Sequence, residues 1–276
     1  MAKLTWDEVG ERFYETGVDH GVLYVMNKNA QYNKGVNWDG LTSVDESPDG
    51  AEANDIYADN IKYLSLTSAE NFKATINAYQ SPEEFDVCDG SASLAKGVTV
   101  SQQSRRSFGF SYRSKIGNDV VGDDYGYIIH LVYNAKCAPS QRTRSTTNDS
   151  PEAVELSWEV STTPVTIAAT DPETGLPFKP TAHLQINSTL VDNTPSYTAA
   201  TPEGTENPHN EGWYERSGSE GSYVYTLSAD TTVDDQKTYY IKTKGKLEAL
   251  EDILYGTEDS DPTLPSPDEI YAMFNS

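Results

Sequence analysis

Between Glu152 and Val160 the chain reads EAVELSWEV, which sets Val154, Leu156, Trp158 and Val160 on one side and Ala153, Glu155, Ser157 and Glu159 on the other. A period of two marks a half-buried strand, here with one apolar face and one acidic face. The same alternation recurs at Phe108, Phe110 and Tyr112, at Ile129, Leu131 and Tyr133, and from His183 to Thr189, with Gly, Pro and Asn-Asp clusters marking the turns. The segment from Thr67 to Tyr79 begins with a cap-like Thr67-x-x-Glu70, yet Phe72, Ala74, Ile76 and Ala78 alternate, and it is assigned as a strand. The pattern predicts a mainly antiparallel β protein.

Helices are few. Ser266-Pro267-Asp268-Glu269 joins a capping box to a proline at the first helical position and predicts a helix from Pro267 to Phe274. Leu247, Leu250, Ile253 and Leu254 recur at helical spacing between Gly245 and Gly256, giving one amphipathic helix able to cover a sheet face. Ser81-Pro82-Glu83-Glu84 starts a turn or two of helix that ends near Asp89-Gly90.

Two stretches stand apart. From Thr42 to Ile61 the chain carries six acidic residues, Asp45, Glu46, Asp49, Glu52, Asp55 and Asp59, and no basic residue. It reads as a long loop, and such a loop inside a compact domain is usually functional or interfacial. Val44, Ile56, Tyr57 and Ile61 give it apolar anchors for docking. The second stretch, 193–243, is rich in Gly, Thr and Tyr and reads as a small inserted β module, since a surface loop tolerates insertion at little cost in closure entropy. Its aromatics, Trp213, Tyr214, Tyr223, Tyr225, Tyr239 and Tyr240, suit either a stacking surface for sugar or protein or, the favoured reading, the mini-core of the module.

Charge narrows the function. The 276 residues hold 43 Asp and Glu against 20 Lys and Arg, a net charge of −23. This argues against a sequence-reading DNA binder, whose affinity comes from clustered Lys and Arg. Two cysteines, Cys88 and Cys137, make no disulfide framework and point to a reducing compartment. The first residues, MAKLTWDEVGERFYETG, show no export signal, and the apolar runs at 21–26 and 125–133 fall far short of the roughly 18 residues of a membrane helix.

Catalytic chemistry is not visible. The chain has no G-x-S-x-G, H-E-x-x-H, Walker loop or post-strand G-x-G-x-x-G. His20, His130, His183 and His209 are scattered, none with a second His or Cys at ligand spacing, so no metal site and no cofactor are expected. Asp123-Asp124, Glu83-Glu84 and Asp234-Asp235 are sequence neighbours, which on a strand point to opposite faces and do not converge on a substrate. Asn148-Asp149-Ser150 and Asn187-Ser188-Thr189 fit the glycosylation pattern and are discounted for want of an export signal. Arg105, Arg106, Arg113 and Lys115 form the only basic concentration, read as partners for the acidic surface of another copy.

Longer blocks are more specific. GVLYV at 21–25, GVNWDGL at 35–41, ESPDGAEANDIYADNIKYL at 46–64, SPEEFDVCDGS at 81–91 and SRRSFGFSYRSKIGND at 104–119 resemble the major tail proteins of long-tailed bacteriophages of Gram-positive bacteria. The resemblance continues through DYGYIIHLVYNAKCAPS at 125–140, NDSPEAVELSWEVSTTPV at 148–165, PTAHLQINST at 180–189 and LEALEDILYGTEDSDPTLPSPDEIYAMF at 247–274. It covers most of residues 1–192 and 244–276.

What the resemblance implies is a non-enzymatic structural virion protein: a tail tube domain over 1–192 and 244–276, with two packed antiparallel sheets and a flanking helix. Its copies form hexameric rings stacked into the conduit for DNA, and sheets joining side by side into a barrel would remove exposed strand edges. The implied location is the phage tail, after assembly in the host cytoplasm. The implied partners are further copies of itself, a tape-measure protein and the tail terminator and distal tail proteins, with genomic DNA passing through unbound and no membrane involved. The 42–61 segment becomes the arm that packs on an adjacent subunit or ring, with Glu46, Asp49, Glu52, Asp55, Tyr57 and Asp59 at the contact. The 193–243 module departs from the simplest pattern and is placed on the outer wall. Six copies at −23 each carry about −138, and a like-charged wall keeps DNA from adhering. With a Debye length of about 8 Å only bore-lining residues matter, and Glu155 and Glu159 are expected to face the bore. Two rivals are a β-sandwich adhesin touching carbohydrate through the Tyr-rich module and a hydrolase using paired carboxylates.

Overall fold

A computed structural model describes residues 4–140, 142–144, 146, 149, 153–202 and 207–275. The chain divides into two compact units, Met1–Leu190 with Asp252–Ser276 and Val191–Glu251. The first unit begins with strands β1 (Phe13–Val25), β2 (Val36–Trp38), β3 (Leu41–Glu46), β4 (Asp49–Gly50), β5 (Ala53–Ala58), β6 (Ile61–Thr67), β7 (Glu70–Asn71) and β8 (Lys73–Ala78). A 3₁₀ turn (Glu83–Phe85) and helix α1 (Asp86–Asp89) follow, then β9 (Ala92–Ala95), β10 (Val98–Val100), β11 (Phe108–Asn118), β12 (Gly122–Cys137), β13 (Leu156–Thr162) and β14 (His183–Asn187). The second unit holds β15 (Ser196–Ala200), β16 (Trp213–Ser217), β17 (Val224–Leu227) and β18 (Tyr239–Thr243). Helix α2 (Lys246–Tyr255) carries the boundary between the units, and α3 (Pro267–Asn275) belongs to the first.

The protein is mainly β and its strand pairs are antiparallel. Hydrogen bonds run in the order β2-β1-β11-β12-β13-β8-β3, with β14 added to β12. Strand β12 serves two layers: Ile128 to Val132 pair with β14, and Ala135 to Cys137 pair with β13. Between these runs Asn134 takes a φ of 49°. A left-handed residue of this kind bends the strand and lets the sheet turn over its own inner face, as at the corners of sheet packings.

That inner face is the core. Leu23, Trp38, Ile76, Phe85, Phe108, Phe110, Val132 and Trp158 are buried in one cluster. Trp38 lies 4.6 Å from Phe85, 5.4 Å from Phe110 and 5.5 Å from Trp158 between ring centroids, in tilted and edge-on geometries. The opposite face of β1, β11 and β12 is buried too, through Tyr24, Ser111, Ile129, Leu131 and Tyr133. The C-terminal segment covers it: the Tyr24 hydroxyl donates to the Leu254 carbonyl at 2.7 Å and the Tyr133 hydroxyl to the Pro265 carbonyl at 2.9 Å. Gly109 makes this possible, since a Cβ there would lie 2.2 Å from the Leu264 side chain.

Local signals are realised closely. The Ser266 amide donates to the Glu269 carboxylate at 2.7 Å, and the Glu269 amide donates back to the Ser266 hydroxyl at 3.3 Å, completing the capping box of α3. Gly256 ends α2 with a φ of 77°. The Thr67–Tyr79 segment contains β8, whose Ala74, Ile76 and Ala78 are buried.

The strand expected over 152–160 is displaced. β13 starts at Leu156, which pairs with Ala78, the last residue of β8. Val154, expected on the core side, is consequently 47% exposed. Glu152, Asn148 and Ser150 lie outside the described residues.

The cysteines are both free and buried. Burial pushes each thiol up to about 12, and for Cys88 the neighbouring Cys137 adds to the shift. Thiols held protonated are poor nucleophiles. The native chain is therefore expected to leave Ellman's reagent unreacted at pH 8 and to yield two thiols once denatured. Rapid reaction of the native chain, or no thiol after unfolding, would contradict this placement.

The second unit is a four-stranded antiparallel sheet ordered β15-β18-β16-β17. Its aromatics pack on one another, with Tyr197 stacked on Tyr225 at 4.0 Å and Tyr240 edge-on to Tyr225 at 5.2 Å. Arg216 lies 4.2 Å from the Tyr223 ring centre. On the other side Lys237 bridges Asp230 at 2.8 Å and Glu215 at 3.2 Å. Asn193 belongs structurally with α2, for its side-chain oxygen accepts the Leu247 and Glu248 amides at 3.0 and 3.2 Å and caps the helix.

Candidate functional site

The acidic stretch from Thr42 to Ile61 is not a loop. Its first part is β3, an edge strand paired to β8, and the remainder is half of a two-stranded arm closed by β5 and β6 from Ala53↔Thr67 to Ala58↔Ile61. Asp59 and Asn60, with φ of 51° and 63°, make the tight turn at its tip. The short β4–β7 pair forms its root.

The arm has two unlike faces. Ile56 stands opposite Leu64, and Asn54 opposite Leu66, so Ile56, Leu64 and Leu66 share one side. The other side carries Asp55, whose carboxylate accepts the Ser65 hydroxyl at 2.6 Å and pairs with Lys62 at 2.6 Å. Lys62 thereby holds the Asp55 carboxyl below its usual range, as Lys73 does for Asp49. Tyr57, Ile61 and Tyr63 are exposed near the tip, and Ile56, Leu64 and Leu66 are exposed as well. An isolated hairpin is marginal in water, yet here one is built with an apolar side that its own chain leaves open.

The residues expected at the contact are distributed unevenly. Asp49, Glu52, Asp55, Tyr57 and Asp59 lie on the arm; Asp55 is paired within it by Lys62, and Asp49 is paired with Lys73 at the start of β8. Glu46 does not: it ends β3 and turns toward Tyr112 on β11. A second apolar strip lies at the N-terminus, where Leu4, Trp6 and Val9 are exposed.

Glu159 projects from β13 away from Trp158 and Val160. It stands in register with Thr75 and, beyond that, Asp45, while Ser157, Asn77 and Ser43 form the next row. The Asn77 amide donates to the Ser43 hydroxyl at 2.9 Å and to Asp45 at 2.8 Å. Glu155 sits just before the strand and accepts the Thr42 hydroxyl. The outward face of β13-β8-β3 is thus a ladder of small polar and acidic side chains.

The basic concentration is divided by the fold. Arg113 pairs with Asp19 of its own chain at 2.9 Å and lies over the Tyr127 ring. Arg105 sits against Gly90 instead.

One cluster escaped sequence reasoning. Among the described residues a single group of three ligand-type side chains converges: Glu46, His130 and His183. His130 Nδ1 is 3.2 Å from His183 Nε2 and 3.4 Å from Glu46 Oε1, and His183 Nε2 is 3.8 Å from the same oxygen. Antiparallel pairing of β12 with β14 brings the two histidines together, and the Tyr112 hydroxyl holds the end of β3 beside them. The Tyr112 hydroxyl donates to Glu46 Oε1 at 2.6 Å, and the Tyr112 ring stacks on His130 at 4.5 Å. The neighbouring imidazoles and the Tyr112 hydroxyl hold the Glu46 carboxyl down at about 2, while burial lowers His183 to about 4. No short-range motif reports this group, since its members are joined only by strand register.

No helix among the described residues is long and apolar enough to cross a membrane. Compared with known proteins, the chain matches no family model and no curated protein.

Proposed function

We propose that this chain is the repeating subunit of a self-assembling tube, the major tail protein of a long-tailed bacteriophage, built as stacked hexameric rings around a bore for DNA. The observation that carries the reading is the arm: a ribbon with an apolar side formed by Ile56, Leu64 and Leu66 that its own chain does not cover. Such a side is stable when a partner buries it. A second copy is the partner. Head-to-tail rings need two different patches on each copy, and the arm and the exposed strip of Leu4, Trp6 and Val9 supply two.

The ordered blocks that resemble tail tube proteins support the same reading, as does the polar ladder on β13-β8-β3. A bore lined by Glu155, Glu159 and Asp45 repels phosphate and offers no large side chain for DNA to grip. The packed aromatics of the second unit leave no specific reason to prefer a carbohydrate-binding adhesin. Sedimentation velocity over a concentration series tests the reading. Ring-sized and larger species are expected, and a single-chain species throughout would overturn it.

A further inference from the structure

We propose that Glu46, His130 and His183 bind one divalent first-row transition metal ion, zinc above all, and that the ion ties β3 to β12 and β14. The donor spacings carry the argument. In a tetrahedral site with bonds of roughly 2.0–2.2 Å, neighbouring donor atoms lie about 3.3–3.6 Å apart. Here the three edges are 3.2, 3.4 and 3.8 Å. The two histidine-to-carboxylate separations exceed the usual N–H···O range of about 2.7–3.2 Å. The carboxylate thus stands outside hydrogen-bond range of both imidazoles, while the His130–His183 contact at 3.2 Å is a hydrogen bond that a bound ion would replace.

The surroundings orient the ligands as a metal site requires. His130 Nε2 lies 2.9 Å from the Ser114 hydroxyl, which leaves Nδ1 to face the centre. The His183 ring rests on Phe72 at 4.3 Å and runs nearly parallel to His130, with 8° between planes. Tyr112 anchors the carboxylate. A cavity of about 350 Å³ bordered by Glu15, Ser114, Tyr112 and His130 opens beside the group. It provides a path for the ion and room for a water as fourth ligand. Two imidazoles with one carboxylate suit zinc and also Co²⁺ or Ni²⁺.

The ion would act as a clasp. Glu46 ends β3 immediately before the arm, whereas the histidines lie on strands paired to each other. The site stands on these contacts alone and does not depend on the chain forming tubes.

The test uses the full chain without a histidine tag, stripped with chelator and titrated with Zn²⁺ or Co²⁺. One equivalent per chain is expected, with the visible absorption of four-coordinate Co²⁺. At Zn²⁺ about 100-fold above Kd the melting temperature should rise by about 5–10 °C. Glu46→Gln and His183→Gln should each weaken binding about 100-fold or more, while His209→Gln changes nothing. Binding that survives both cluster substitutions, or no stoichiometric binding, overturns the proposal. Should the cluster variants fail to fold, X-ray absorption of the zinc-loaded parent decides: two imidazoles with oxygen ligands support the site, and fewer than two imidazoles refute it.

Discussion

A chain carrying Ile56→Asp, Leu64→Asp and Leu66→Asp is expected to fold normally and remain monomeric under conditions in which the parent polymerises. The three side chains share the open side of the arm and take no part in the buried cluster around Trp38 and Trp158. Replacing them therefore removes nothing from the core. At an interface each would contribute about 1.5–3 kcal/mol of burial. Losing all three costs about 5 kcal/mol or more per contact, upwards of a thousandfold in association, before the repulsion of added carboxylates on an already acidic chain. Circular dichroism and the melting curve should match the parent, and sedimentation should show the loss of polymer. Unchanged polymers would show that the arm is not the contact.

The second large effect concerns the core of the first unit. Trp158→Ala is expected to destabilise the first unit by about 3–5 kcal/mol, read from denaturant unfolding followed by circular dichroism. Trp158 is 0% exposed, edge-on to Trp38 at 5.5 Å and to Phe85 at 5.2 Å, so its removal opens a cavity where both layers meet. Among the described residues its indole Nε1 finds no hydrogen-bond partner. Leaving such a group buried costs about 1–3 kcal/mol. Trp158→Phe, which deletes that N–H and keeps an aromatic ring, should be much milder than the alanine variant. Equal losses for the two would place the stabilisation elsewhere.

How much of this was legible in sequence depends on how far apart the determining residues lie. The capping box at Ser266 and Glu269 and the helix stop at Gly256 act within a few residues and were readable directly. The alternations at Phe108, Phe110, Tyr112 and at Ile129, Leu131, Tyr133 gave strands correctly, but not that the first set faces the core and the second the C-terminal segment. Phe110 pairs with Val132, and only that register tells the faces apart. The arm was misread as a loop because apolar residues occur on both its faces and acidic ones punctuate it, which hides its period. Asp59-Asn60, two residues suited to a left-handed turn, was the available signal. The cluster of Glu46, His130 and His183 had none. Its members sit on three strands, β3, β12 and β14, far apart in sequence, and nothing local announces their meeting.

The central claim is that identical copies complete one another into a hollow object. Electron microscopy of the purified chain, concentrated without other proteins, addresses it most directly. Annuli with a central hole, or hollow rods made of stacked annuli, are the predicted result. Fields of separate single particles at every concentration would contradict the account.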